Sequence, residues 1–223
     1  MSNEELLVIP DKFVKERFGY GFRPVLFTEE YDDTWLYDIM NESDTMPREL
    51  AEKDTNYRQV VPYVLVKTSQ KKYLTFTRKS TQGEKLLHGL SGIGIGGHAN
   101  ISDLGIIEHP IIKAAQRELM EELDISKAPG ISFNMPFPEK LFFLGTIAGT
   151  EEPVDLVHIA FVFRWDTENE VDVREKDQMS YMYMPMELIA GLPNLEPWTK
   201  ALLGYLYYGS TRPREVDWKK AGA

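Results

Sequence analysis

The stretch A-Q-R-E-L-M-E-E-L-D-I, Ala115 to Ile125, places Glu118, Glu121 and Glu122 within five residues. At about 100° per residue, Ile111, Ile112, Ala115, Leu119 and Leu123 share one arc of a helix that begins near Pro110. That arc faces a core. Glu118 and Glu122 lie at its edge and Glu121 further along the same side, with Lys113, Gln116 and Asp124 toward solvent. Carboxylates three and four residues apart on a helix repel, and none of these has a lysine or arginine four residues on. An arbitrary E-x-x-E-E is most often a solvated face. Three carboxylates about one turn (~5.4 Å) apart also make a hard-oxygen site for magnesium or manganese, whose charge offsets the repulsion.

Upstream, G-L-S-G-I-G-I-G-G-H, Gly89 to His98, alternates Gly92, Gly94 and Gly96 with Ile93 and Ile95. Such a strand is apolar on one face and bare backbone on the other. Glycine inside a strand marks a bulge, or close approach of a ligand or a second backbone. A dinucleotide fingerprint needs a helix at once, yet a dozen residues separate Gly97 from Pro110. No P-loop sequence occurs.

Around these two segments lie strand-like runs. Tyr57 to Lys67, broken by Pro62, and residues 72–79 read as a hairpin. Residues 140–148, 155–165 and 177–185 read as further strands, and M-E-L-I-A-G-L through A-L-L-G-Y-L-Y-Y as a helical end. Residues 1–56 show no clean period beyond a short helix near Thr34 to Met40, so they read as an extension around a domain over 57–210, with a mobile tail at 211–223. The class is α/β.

Thirty-five acidic against 25 basic residues give a net charge of -10. That field repels nucleic-acid backbones and anionic membranes, so neither is an expected partner. There is no cysteine, which excludes disulfides and thiolate chemistry. No apolar run approaches a membrane span and the start carries no basic, apolar leader, so a cytoplasmic protein is expected.

Together the segments resemble the Nudix hydrolase family, whose signature is G-x5-E-x7-R-E-U-x-E-E-x-G-U with U aliphatic. Arg117 to Ile125 carries the match, and Gly97 supplies the opening glycine. The loop between Gly97 and Arg117 is longer than the signature, His109 stands where its early glutamate belongs, with Glu108 one residue out of register, and Asp124 replaces its late glycine. The resemblance implies an α/β/α sandwich with a mixed β-sheet. It implies a metal-dependent pyrophosphohydrolase acting on a nucleoside diphosphate linked to another moiety, by water attack on phosphorus.

Carried over by residue, it makes Glu118 and Glu122 the principal magnesium or manganese ligands, with Glu121 supplementing them and the Gly96 carbonyl completing the set. Arg117 would orient a carboxylate of the box. The general base comes from the box, Glu121 or Glu122, or from G-T-E-E-P-V-D, Gly149 to Asp155, where Glu152 is the candidate with Glu151 and Asp155 beside it. Arg58, Arg78 and Gly97 are candidates for contact with a small phosphorylated, nucleotide-like substrate. Phe142, Phe143, Tyr181 and Tyr183 could stack a base, although alternating aromatics in strands are more often core. His88, His98, His109 and His158 have no zinc-ligand spacing. Extensions in this family often contribute to dimers, which makes a homodimer an expectation of the resemblance. Two other classes compete: a nucleotide-sensing module without turnover, and an interaction protein acting through residues 1–56.

Overall fold

A computed structural model describes residues 4–24, 34–78, 89–105, 109–125, 141–151, 153–174, 179–208 and 214–215. Strand β4 (Tyr57–Thr68) sets the architecture because its side chains alternate between two cores. Val60, Val64 and Val66 pack with Ile111, Ala115 and Leu119 of the glutamate helix, α4 (Pro110–Glu122). Tyr63 and Leu65 pack on the opposite face with Met186 and Ile189 of α5 (Met186–Ala190) and Leu202 of α6 (Pro197–Tyr208). Ile159, Phe161 and Phe163 against Ala160 and Val162 repeat the division on β9 (His158–Thr167). One sheet between two helical layers is the α/β/α sandwich expected.

The sheet runs β10-β5-β4-β9-β8-β11, with β5 at Lys72–Arg78, β8 at Leu141–Ala148, β10 at Met179–Pro185 and β11 at Arg214–Glu215. β4 and β9 are parallel over ten residue pairs, whereas β5, β8 and β10 join antiparallel, so the sheet is mixed. Pro62 does not break its strand. It pairs with Phe161 inside β4, forfeiting one ladder donor.

The described strands of the N-terminal extension join this sheet. β1 (Glu5–Pro10) pairs with β4, β3 (Asp44–Pro47) with β1, and β2 (Gly21–Pro24) with β8. Leu6, Leu7, Val8 and Ile9 are all buried. Helix α1 (Asp11–Arg17) adds Val14 to the larger core, α2 spans Thr34–Glu42, and the short α3 (Arg48–Ala51) covers Leu6 and Val8. A four-residue apolar run has too little period to reveal this from sequence. The tail is likewise tied at one point, where Arg214 and Glu215 pair with Phe143 and Phe142.

Candidate active site

The glycine segment becomes β6 (Ser91–Gly92) and β7 (Gly94–Gly96), with β7 antiparallel to β4. Each glycine is bare for its own reason. A Cβ on Gly94 would enter the Tyr63 ring, and one on Gly96 would meet the Pro62 carbonyl oxygen. The bare backbone at Gly96 is therefore already required by strand β4. Gly97 is different: a Cβ there would collide with the Glu118 carboxylate. Absence of a side chain at Gly97 lets the helix bring a carboxylate against the end of the strand.

Helix α4 starts where His109 caps it, its Nδ1 accepting from the Ile111 amide at 3.3 Å, with Pro110 in the first turn. Cap duty explains the histidine in place of a glutamate. At the other end Leu123 is extended, and the Asp124 amide donates to the Asp172 carbonyl at 2.8 Å. The helix leaves without a left-handed residue, so position 124 needs no glycine. Gln116 is buried rather than solvent-facing; the loop after β7 covers α4 on the side away from the sheet, where Lys113 Nζ donates to the Ser102 carbonyl at 2.7 Å.

Like charges on α4 are offset within the helix by Arg117. Its Nη1 lies 2.6 Å from Glu118 and 3.4 Å from Glu121. Its Nε and Nη2 grip Asp103 at 3.1 and 2.9 Å, and Nη2 also donates to the His98 carbonyl at 2.9 Å. Asp103 closes the 3-10 turn Ile101–Asp103, accepting from the Asn100 amide at 3.0 Å while Asn100 accepts from the Ser102 amide. The carboxylate that Arg117 holds with two nitrogens is Asp103 in the inserted loop. No residue pattern pointed there. Desolvation works against the Arg117 charge, but Asp103 and Glu118 outweigh it and raise its pKa. Burial raises the Glu118 pKa above the usual carboxylate range, with Arg117 opposing.

Among the described residues, no three acidic or histidine side chains converge closely enough to enclose a cation. The donor set nonetheless fits a hard divalent ion. Glu118 is a buried carboxylate pressed on bare Gly97, Glu122 is half-buried one turn on, and Glu121 is exposed beside them. Oxygen-only donors of this kind suit magnesium or manganese rather than a softer metal.

The second side of the site is the loop ahead of β9. Arg58, expected to meet phosphate, is only 2% exposed. Its Nε pairs with Asp11 of α1 at 2.6 Å, and its Nη1 donates to the carbonyls of Gly149 (2.8 Å), Asp155 and His158 (3.5 Å). It lies over the Tyr20 ring as well. With its donors committed in the interior, Arg58 ties the N-terminal segment to the loop and is not available to substrate. Asp155 accepts from Trp198 Nε1 at 3.0 Å and is buried. Glu151 is exposed, and Glu152 lies outside the described residues.

His98 and His158 meet at 2.9 Å between their Nε2 atoms, and His158 Nδ1 contacts the Val154 carbonyl at 2.6 Å. A carbonyl only accepts, so His158 carries its proton on Nδ1 and His98 donates between the rings. Burial first, then His158, holds the His98 pKa down to about 3. The pair joins the loop to the end of the glycine strand. Tyr183 and Tyr181 use their hydroxyls on Val171 and Asp172, and Phe143 is buried against Phe161. Phe142 carries the Arg164 guanidinium. Arg78 ends β5 opposite Met179; its side chain and His88 lie outside the described residues.

A glutamate-bearing helix laid against a glycine-rich strand of a mixed sheet is the architecture of the Nudix hydrolases, a class acting on phosphorus-containing acid anhydrides, and the chain resembles them in fold. It is 27% identical over 214 residues to Protein YmaB of Bacillus subtilis (strain 168), covering 92% of this chain and 98% of that one. The structure of Tm1382, provisionally named a Nudix hydrolase, superposes with a TM-score of 0.71 at 26% identity, covering 91% of this chain and 98% of that one. Both spans are too long to leave out the first 56 residues. The Nudix domain of Shewanella oneidensis NrtR, solved with ADP-ribose, shares the fold at a TM-score of 0.50 and 13% identity over 69% of this chain and 89% of that one. No family model matches the chain. Among the described residues, no helix is long and apolar enough to cross a membrane.

Proposed function

We propose that this protein is a divalent-metal-dependent pyrophosphohydrolase that cleaves a nucleoside diphosphate linked to a second moiety. The observation carrying this reading is Gly97, whose missing side chain lets the buried Glu118 carboxylate meet the end of the glycine strand. Glu118, Glu122 and the Gly96 carbonyl would hold the ion, with Glu121 supplementing them. Magnesium or manganese bound there supplies positive charge for the diphosphate and activation of the attacking water. Arg117, anchored on Asp103, keeps Glu118 and the His98 carbonyl in fixed relation, so the donors need no rearrangement when substrate arrives.

Water adds to one phosphorus, the bridging anhydride P–O bond breaks, and the departing phosphate leaves with the shared oxygen. The water proton passes to a carboxylate. Glu121 is exposed beside the cluster and fits that part from the box, and Glu152 is the candidate from the loop. The products are two phosphate esters, or one ester and inorganic pyrophosphate when the second moiety is itself phosphate. A homodimer and a cytoplasmic location belong to the same reading.

Phosphate-bond cleavage across nucleoside diphosphate sugars, ADP-ribose and nucleoside triphosphates, with magnesium or manganese and then with chelator, tests it. Metal-dependent turnover of at least one member is the expected result. Nucleotide bound but never cleaved would move the protein to the sensing class.

A further inference from the structure

Beyond β9 the segment Val171 to Arg174 folds back past the end of α4. Leu123 and Val173 form an antiparallel bridge, and the Arg174 amide donates to the Glu122 carbonyl at 2.8 Å. Both bridge residues are buried in the same core cluster. Next to buried Val173 on this bridged backbone, Arg174 is exposed, and its amide contact sets it beside Glu122, the half-buried last residue of α4. The segment is fixed rather than loose. Tyr183 accepts from the Val171 amide at 2.9 Å and donates to the Val171 carbonyl at 3.0 Å, and Tyr181 donates to Asp172 at 3.3 Å.

Cation supply at this site is otherwise exhausted among the described residues. Arg117 is spent on Asp103, Glu118 and the His98 carbonyl, and Arg58 on Asp11 and interior carbonyls. Lys113 is turned to Ser102 and Lys72 to Glu170. Arg174 has its backbone tied to a carboxylate-bearing residue of the cluster, yet its side chain makes no ion pair or hydrogen bond with the described residues. A polyanion approaching a chain of net charge -10 and three clustered glutamates needs fixed positive charge besides the metal. A guanidinium suits that purpose because its planar fork matches two phosphate oxygens.

We propose that Arg174 is a substrate-binding residue that receives the diphosphate beside Glu122, held in position by Tyr183. This assignment rests on the phosphoanhydride reading above. The recognised chemistry is the diphosphate itself, common to a nucleoside diphosphate sugar and a nucleoside triphosphate.

Calorimetric titration of inorganic pyrophosphate in calcium reads the contact as binding, and KM and kcat for a nucleoside diphosphate sugar and a nucleoside triphosphate read it in turnover. Arg174→Ala weakens pyrophosphate binding about tenfold or more, as loss of a charge-assisted contact does. It raises KM for both substrates with kcat little changed, leaves thermal unfolding unchanged, and is partly rescued by Arg174→Lys. Tyr183→Phe gives a smaller rise in KM. Equal pyrophosphate affinity in wild type and Arg174→Ala, or a KM effect confined to one substrate, overturns the assignment and leaves the proposed reaction standing. A folded wild-type protein that neither binds pyrophosphate nor cleaves either substrate overturns the reaction and the assignment together.

Discussion

Arg58 and Arg117 sit on the two sides of the site, and each gathers several acceptors, but of different kinds. Arg58 takes three backbone carbonyls and one carboxylate in the interior. Arg117 takes three carboxylates and one carbonyl while a quarter of its side chain stays exposed. Carbonyls cannot move without the chain, so an arginine that collects them is a fastener between segments. Side-chain carboxylates can exchange one cation for another, so an arginine that collects them sets the electrostatics of a site. The two therefore differ in what their loss should do.

The largest effect expected is from removing residues 1–53. The Ala99 carbonyl would lose the Leu7 amide, and the six buried side chains of Leu6, Leu7, Val8, Ile9, Val14 and Ile39 would be lost, each worth about 1.5–3 kcal/mol. The truncated protein should be insoluble or unfolded by circular dichroism. A folded, active truncation would mean that β1 is dispensable and that the two sides are not braced from the N-terminus. Arg58→Ala comes next. It strands Asp11 and the loop carbonyls, and should lower unfolding stability by about 3–5 kcal/mol in denaturant titration. Asp103→Asn should cost less, about 1–3 kcal/mol, because Arg117 retains Glu118 and the His98 carbonyl. Its effect on metal-dependent turnover should exceed that of Arg58→Lys at equal residual stability, and the reverse order would dissolve the distinction between fastener and site cation.

The part of this arrangement legible in the sequence is the part whose signal is local. Glu118, Glu121 and Glu122 lie on one helix with an apolar arc of 3.6 period, and Gly92 to Gly96 alternate with isoleucines, so both elements could be read directly, and the sandwich followed from the family resemblance they carry. What escaped depends on partners far along the chain. Leu6 to Ile9 become a strand because β4 and Ala99 offer hydrogen bonds some fifty and ninety residues later. Arg58 sits near the start of a strand, a place that suits a phosphate contact or an interior clasp equally well, and only Asp11 and the Gly149 carbonyl decide between them. Asp103 could not be found by spacing, since the lengthened loop moves Arg117's partner to a position no family pattern marks. Arg174 is equally silent, being one charge among 25 until Val173 meets Leu123.

The central claim is that the glutamates of α4 form a metal-dependent hydrolytic centre. It is tested most directly by comparing magnesium- or manganese-dependent cleavage of the best substrate by wild type and Glu122→Gln, with thermal unfolding measured alongside. The substitution keeps size and removes charge. Turnover should fall on the order of a hundredfold or more, with the unfolding temperature little changed. Full activity in Glu122→Gln would contradict the account.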